Sequence, residues 1–220
     1  MFNKIISLHI PKTAGTTFKK YMEASFQNNF LEIDSKPIIR RCEHSINTNY
    51  PVKLSDSKEL FIHGHITFND IIYSDNFYYI TWLRDPVERV ISHYNYFKIK
   101  PITSYTHPIE LKIKNENLSL NDFIKIPCMQ NIQSYYLNNT AEIDKFAFIG
   151  IVELFTESLM LLEKKLEKKF ISENIQNQLV NNNKAFVSDK IRNEIRKVNQ
   201  KDCELYDIAL KNLKIELENV

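Results

Sequence analysis

The chain has 220 residues, of which 43% are hydrophobic and 25% charged, the balance of a globular protein long enough to bury its own core. A net charge of +2 does not argue for a nucleic-acid or membrane protein, though it permits a local basic groove for anionic ligands. No apolar run approaches the ~18 residues needed to cross a bilayer, and no signal-like segment precedes the first strand pattern. Cys42, Cys128 and Cys203 are widely spaced and fit no metal or redox pattern, so free thiols in a reducing compartment are expected. One domain over residues 1–220 is expected.

In chain order, Lys4 to Ile10 reads as a short Ile-rich strand. Thr16 to Phe26 reads as a helix with Phe18, Met22 and Phe26 on one face. Between them lies His9-Ile10-Pro11-Lys12-Thr13-Ala14-Gly15-Thr16-Thr17. A tight turn holding a Lys and a Gly between strand and helix is suited to phosphate, because main-chain N–H groups, the helix N-terminus and the ammonium all present positive charge. The order differs from the ATPase motif, since Lys12 precedes Gly15 and no second glycine is present. Gln27 to Ser57 reads as a polar excursion with a short strand over Pro37 to Cys42.

Leu60 to Ile66 reads as a second buried strand that breaks at Gly64, placing His63 and His65 at the sheet rim. The two histidines could serve as metal ligands, yet no thiol or carboxylate cluster completes such a site. Phe77 to Leu83 is apolar nearly throughout, as expected of a strand covered on both faces. Asp85-Pro86 follows as N-cap and first helical residue, and Val87, Val90, Ile91 and Tyr94 give that helix an apolar face. Phe97 to Asn117 lacks periodicity. Ser119 to Ile126 and Met129 to Asn138 read as helices, with Gln133 assigned to the core by default. Phe146 to Glu153 reads as a strand, Glu157 to Lys169 as a helix and Ile171 to Val187 as a loop. A long final helix is predicted from Ser188 to Leu217, burying Ile191, Ile195, Val198, Leu205 and Ile208.

The Pro11 to Thr17 stretch resembles the 5′-phosphosulfate loop of sulfotransferases that use 3′-phosphoadenosine 5′-phosphosulfate (PAPS). The branch it resembles most is that of carbohydrate sulfotransferases related to heparan sulfate 2-O-sulfotransferase. The resemblance continues through His63-Gly64-His65, through Arg84 with Ser92 eight positions on, and through the late strand and helices. It implies an α/β, P-loop-like sulfotransferase fold, with a central, mostly parallel sheet flanked by helices and a long C-terminal helix. It also implies that Lys12, Thr13, Ala14, Gly15, Thr16 and Thr17 hold the donor's phosphosulfate and that Arg84 and Ser92 hold its 3′-phosphate. Lys12, His65 and His63 are then the expected catalytic residues, with His65 favoured as general base.

The resulting expectation is sulfuryl transfer from PAPS to a carbohydrate hydroxyl, releasing 3′-phosphoadenosine 5′-phosphate (PAP). No metal is expected, since Lys12 and loop amides can neutralise the leaving phosphate. Two alternatives stay open: a nucleotide or small-molecule kinase, and a non-catalytic PAP-binding module. The expected partner is a polysaccharide or glycoside, with no nucleic acid, and the oligomeric state is open. The compartment expected is the cytoplasm of a bacterium, or alternatively the chain is the trimmed catalytic domain of a Golgi membrane protein.

Overall fold

Among the described residues, five strands form the centre of the fold: β1 (Lys4–Leu8), β2 (Phe30–Asp34), β3 (Phe61–His65), β4 (Phe77–Leu83) and β5 (Phe148–Ile151). They pair in the order β2-β3-β1-β4-β5, and every pairing is parallel. The structure is a computed structural model that describes residues 4–43, 54, 57–103, 106–171 and 186–219. β1 and β4 are buried at every position, which is why their sequences are continuous apolar runs instead of alternating ones. Trp82 of β4 stacks on Phe155 of α7 (Phe155–Lys165) at 4.6 Å and packs on Phe18 of α1 (Gly15–Phe26) at 5.2 Å. On α3 (Pro86–Ile99) the expected face of Val87, Val90, Ile91 and Tyr94 is buried, and Asp85 caps the helix by accepting from the Glu88 N–H at 2.9 Å.

The strand order fixes where a ligand can sit. From β1 the chain crosses to the β3 and β2 side, and β4 then lies on β1's other side. The loops after β1 and β4 therefore diverge at the carboxyl edge and leave a crevice between them.

Several expectations are corrected. Pro37 to Cys42 is not a strand but the helix α2 (Pro37–Glu43), with Pro at the first helical position, where its missing N–H costs nothing. The strand of this region is β2, at the sheet edge. Its half-exposed Phe30, Leu31 and Ile33 alternate with Glu32 and Asp34 and so carry a weak apolar signal. β3 does not break at Gly64, because that glycine remains in register opposite Ile33. Within Phe97 to Asn117, α3 continues to Ile99 and α4 (Pro108–Asn115) follows, capped by His107 Nδ1, which accepts the Ile109 N–H. The two short helices shrink to α5 (Leu120–Phe123) and α6 (Ile132–Leu137). Most of the predicted loop from Ile171 to Val187 lies outside the described residues.

The long C-terminal helix is present as α9 (Gln200–Glu218), but the stretch expected to be one helix from Ser188 is divided, with α8 (Asp189–Val198) before it. Asn199 breaks it: its Nδ2 donates to Ile195 O at 2.9 Å while its Oδ1 accepts the Asn131 N–H at 2.8 Å. The break resets the helical phase, so Ile208 is 40% exposed while Tyr206, Ala209 and Leu213 are buried. Cys42 and Cys128 form a disulfide, 86 residues apart in sequence, which leaves Cys203 as the free thiol and removes the basis for inferring a reducing compartment from unpaired cysteines.

Gly64 is required by strand spacing. A Cβ there would stand 1.8 Å from Ile33 O and 2.7 Å from Ile33 C, both main-chain atoms of β2. Gly64→Ala is therefore expected to push β2 away and to cost about 1–3 kcal/mol, read as a lower urea midpoint. A midpoint equal to wild type would mean that β2 does not pair there.

Candidate functional site

Beyond Leu8 the chain turns over His9 to Ala14 before α1 begins at Gly15. Lys12 (φ 73°) and Ala14 (φ 62°) occupy the left-handed region, each at a cost of roughly 1–2 kcal/mol outside glycine. Left-handed residues in a short turn can direct main-chain N–H groups into a concavity, and the opening N–H groups of α1, which have no intrahelical partner, lie beside this one. Thr13 is buried, and its Oγ1 donates to Ile10 O at 2.9 Å, so its side chain braces the turn instead of facing outward.

A cavity of about 320 Å³ opens above this turn. Lys12, Ala14, Gly15, Thr16 and Thr17 line it from the loop, His65 from the end of β3, Arg84 from the end of β4 and Ser92 from α3. The structure thus brings together eight of the ten residues singled out from sequence, drawn from three separate strand ends and one helix. Thr13 and His63 lie behind its wall.

Its electrostatics are cationic. Lys12 Nζ sits 4.2 Å from the centre of the Tyr96 ring, a cation–π contact. Burial, helped by the neighbouring Arg84, lowers the Lys12 pKa to about 8. Arg84 Nη1 donates to Lys12 O at 3.2 Å, tying the β4 end to the loop. The Arg84 main chain is gripped on both sides by the fully buried Gln133, whose Oε1 accepts the Arg84 N–H at 2.9 Å and whose Nε2 donates to Arg84 O at 3.0 Å. Gln133 and Ser134 in turn donate main-chain N–H groups to the buried Asp202 of α9 at 3.1 and 2.8 Å. The sequence default for Gln133, the core, describes its burial and not this grip. Tyr96 was missed, although it lies four residues after Ser92 and so on the same helix face.

The histidines divide by environment. His63 is 1% exposed, bonds Ser7 Oγ through Nδ1 at 2.9 Å, and burial lowers its pKa to about 3. It touches the cavity only through His9, whose ring stacks on His63 at 4.8 Å and on His65 at 4.1 Å. His65 reaches the cavity itself. Its Nδ1 lies 2.7 Å from His9 O, and a carbonyl can only accept, so Nδ1 carries the proton and Nε2 keeps a free lone pair. Burial lowers the His65 pKa, opposed by that hydrogen bond and by Asp34 and Glu32. At neutral pH it is therefore an uncharged imidazole able to accept a proton.

The chain matches the family model described as Sulfotransferase family over residues 2–209. It belongs to the sulfotransferase family. Among solved structures, this sulfotransferase is similar to mouse sulfotransferase SULT7A1 complexed with PAP, at 12% identity and a TM-score of 0.45, over 99% of this chain and 89% of that one. No curated protein sequence matches it. No helix among the described residues is long and apolar enough to cross a membrane.

The lowered pKa of Lys12 predicts a pH dependence for anion binding. The ammonium form binds phosphate, so affinity is full below a pKa of about 8 and declines above it. Calorimetry with pyrophosphate from about pH 7 to about pH 9.5 should show up to tenfold weaker binding per unit above the pKa, a slope that Lys12→Met abolishes. A flat wild-type profile would place the anion away from Lys12.

Proposed function

We propose that this sulfotransferase moves the sulfuryl group of PAPS onto a hydroxyl of a carbohydrate acceptor by in-line displacement. The observation that carries the reading is the convergence, in one cavity, of a neutral base, a phosphate-type loop and two cations from different strand ends. A donor bearing phosphates at both ends of its ribose would meet the loop with one and Arg84 with Ser92 with the other. The cradle fits: a guanidinium forks onto phosphate oxygens, and a hydroxyl eight residues further on completes the shell.

PAPS supplies the activated S–O bond. His65 Nε2 takes the proton of the acceptor hydroxyl, and the freed oxygen pair forms a bond to sulfur as the bond from sulfur to the bridging phosphate oxygen breaks. The electrons of that bond pass to the departing 5′-phosphate, where Lys12 and the loop N–H groups stabilise the growing charge. Lys12 acts on charge that develops only as the bond breaks, so its contribution falls on the rate more than on binding. Thr13 holds the turn in shape, and His63 supports the stack behind the base.

Two experiments test the reading. Arg84→Ala should weaken PAP on the order of 10- to 100-fold, the loss of a charge-assisted contact, while adenosine 5′-phosphosulfate, which has no 3′-phosphate, loses little. Equal losses for both ligands would remove Arg84 from the 3′-phosphate site. Transfer from radiolabelled PAPS to a panel of glycans and glycosides should yield a sulfated product, and His65→Ala should lower kcat about 10²- to 10⁴-fold with PAP affinity intact. Because the base acts when neutral and its pKa lies below the ordinary 6.5, the wild-type rate should hold through mildly acid pH and fall only below that value. A His65→Ala enzyme that keeps its rate and its acid limb would reject His65 as the base.

A further inference from the structure

His9 precedes the phosphate loop, lines the cavity, and has no part in the chemistry described so far. Its main chain is committed on both sides. The His9 N–H donates to Gly64 O at 2.7 Å, and His9 O accepts from His65 Nδ1 at the same distance. Its ring lies nearly parallel to that of His65, 20° off plane at 4.1 Å, and to that of His63, 21° off plane at 4.8 Å. The edge of the ring rests on the loop: a Cβ on Gly15 would stand 1.8 Å from His9 Nε2. The three imidazoles therefore form one stack that runs from β3 through the end of β1 back to the base, with its middle ring seated on the glycine that opens α1.

We propose that His9 is the positioning residue of the general base: its carbonyl selects the His65 tautomer, and its ring, wedged on Gly15, holds the His65 ring in line with the phosphate loop. The inference rests on His65 as the base proposed above. A base held this way cannot swing away from the loop without unstacking, so donor site and proton acceptor keep one geometry. The middle ring stays uncharged. Burial and the neighbouring His65 hold His9 neutral, since a cationic ring there would repel its neighbours. The charged or titratable groups around the pair are His63 on β3, Glu32 and Asp34 on β2, Lys12 on the loop, Lys19 on α1 and His93 on α3. Of these only Glu32 and Asp34 favour a protonated His65.

The test uses the full chain with 15N-labelled histidines, in which long-range proton–nitrogen spectra report the tautomer and titration of each ring. Wild type should show His65 protonated at Nδ1 and titrating below 6.5. In His9→Ala the main-chain carbonyl at position 9 remains, so His65 should keep its Nδ1 proton, while water reaches the face that the ring covered and its midpoint should rise toward the ordinary value. PAP affinity should be unchanged, and kcat should fall up to about 10²-fold at an unchanged KM for PAPS, with the acid limb moved to higher pH. His9→Gln removes the ring with less loss of volume and should give the same result if the alanine variant fails to fold. Identical His65 spectra in wild type and in the folded variant overturn the proposal, as does a loss of PAP affinity equal to the loss of rate, which would make His9 a ligand contact. A wild type that transfers no sulfuryl group rejects the proposed function instead, while the spectra still decide the role of His9.

Discussion

Everything at the carboxyl edge depends on β1 lying between β3 and β4 in parallel register. Ser7 is paired with His63 and Leu8 with Gly64 on one side, and Leu8 with Thr81 on the other. That register ends the three strands close to one level, so that the loop after β1, His65 and Arg84 emerge at one edge of the sheet. It also explains why the centre is so apolar. A strand hydrogen-bonded on both edges and covered on both faces has no solvated surface, and β1 and β4 accordingly bury every residue.

The site is held from behind by buried polar groups. Asp202, at the start of α9, accepts from the main chain of Gln133 and Ser134 and lies 4.0 Å from the guanidinium of the fully buried Arg89. Buried ionic groups of this kind are poor sources of net stability, because desolvation consumes most of their attraction. Their value here is geometric. Gln133 accepts and donates to the main chain of Arg84, so the orientation of that residue is set by a chain of contacts reaching α9. On the other flank, Ser35 donates from both N–H and Oγ to His65 O at 2.9 Å, and Arg40 joins Ser35 to Asp70. Arg84 and His65 are thus braced from opposite ends of the sheet.

Much of this was legible beforehand. The turn between β1 and α1, β4 with Asp85 and Pro86 beyond it, and the strand that carries His63 and His65 all rest on signals carried within ten residues: apolar runs, a cap, a helix-opening turn. Of the residues missed at the cavity, Tyr96 had a local signal in its place four residues after Ser92 on one helix face, while His9 carries no local mark that separates it from a core histidine. Only the placement of their neighbours gives them a role.

What the sequence determined by itself, then, were the elements whose physics is short-ranged: helical periodicity, capping and continuous burial of central strands. Tertiary structure decided the rest. β2 became a strand because β3 offered it a free edge, although half-exposure weakened its pattern. The final helix broke at Asn199 because its side chain has a partner on Asn131, 68 residues earlier. Cys42 met Cys128 because α2 and the segment before α6 pack together. The histidine stack exists because β1 and β3 are neighbours in register. In each case the deciding contact lies far away in sequence, and its energy appears only once the chain has closed on itself.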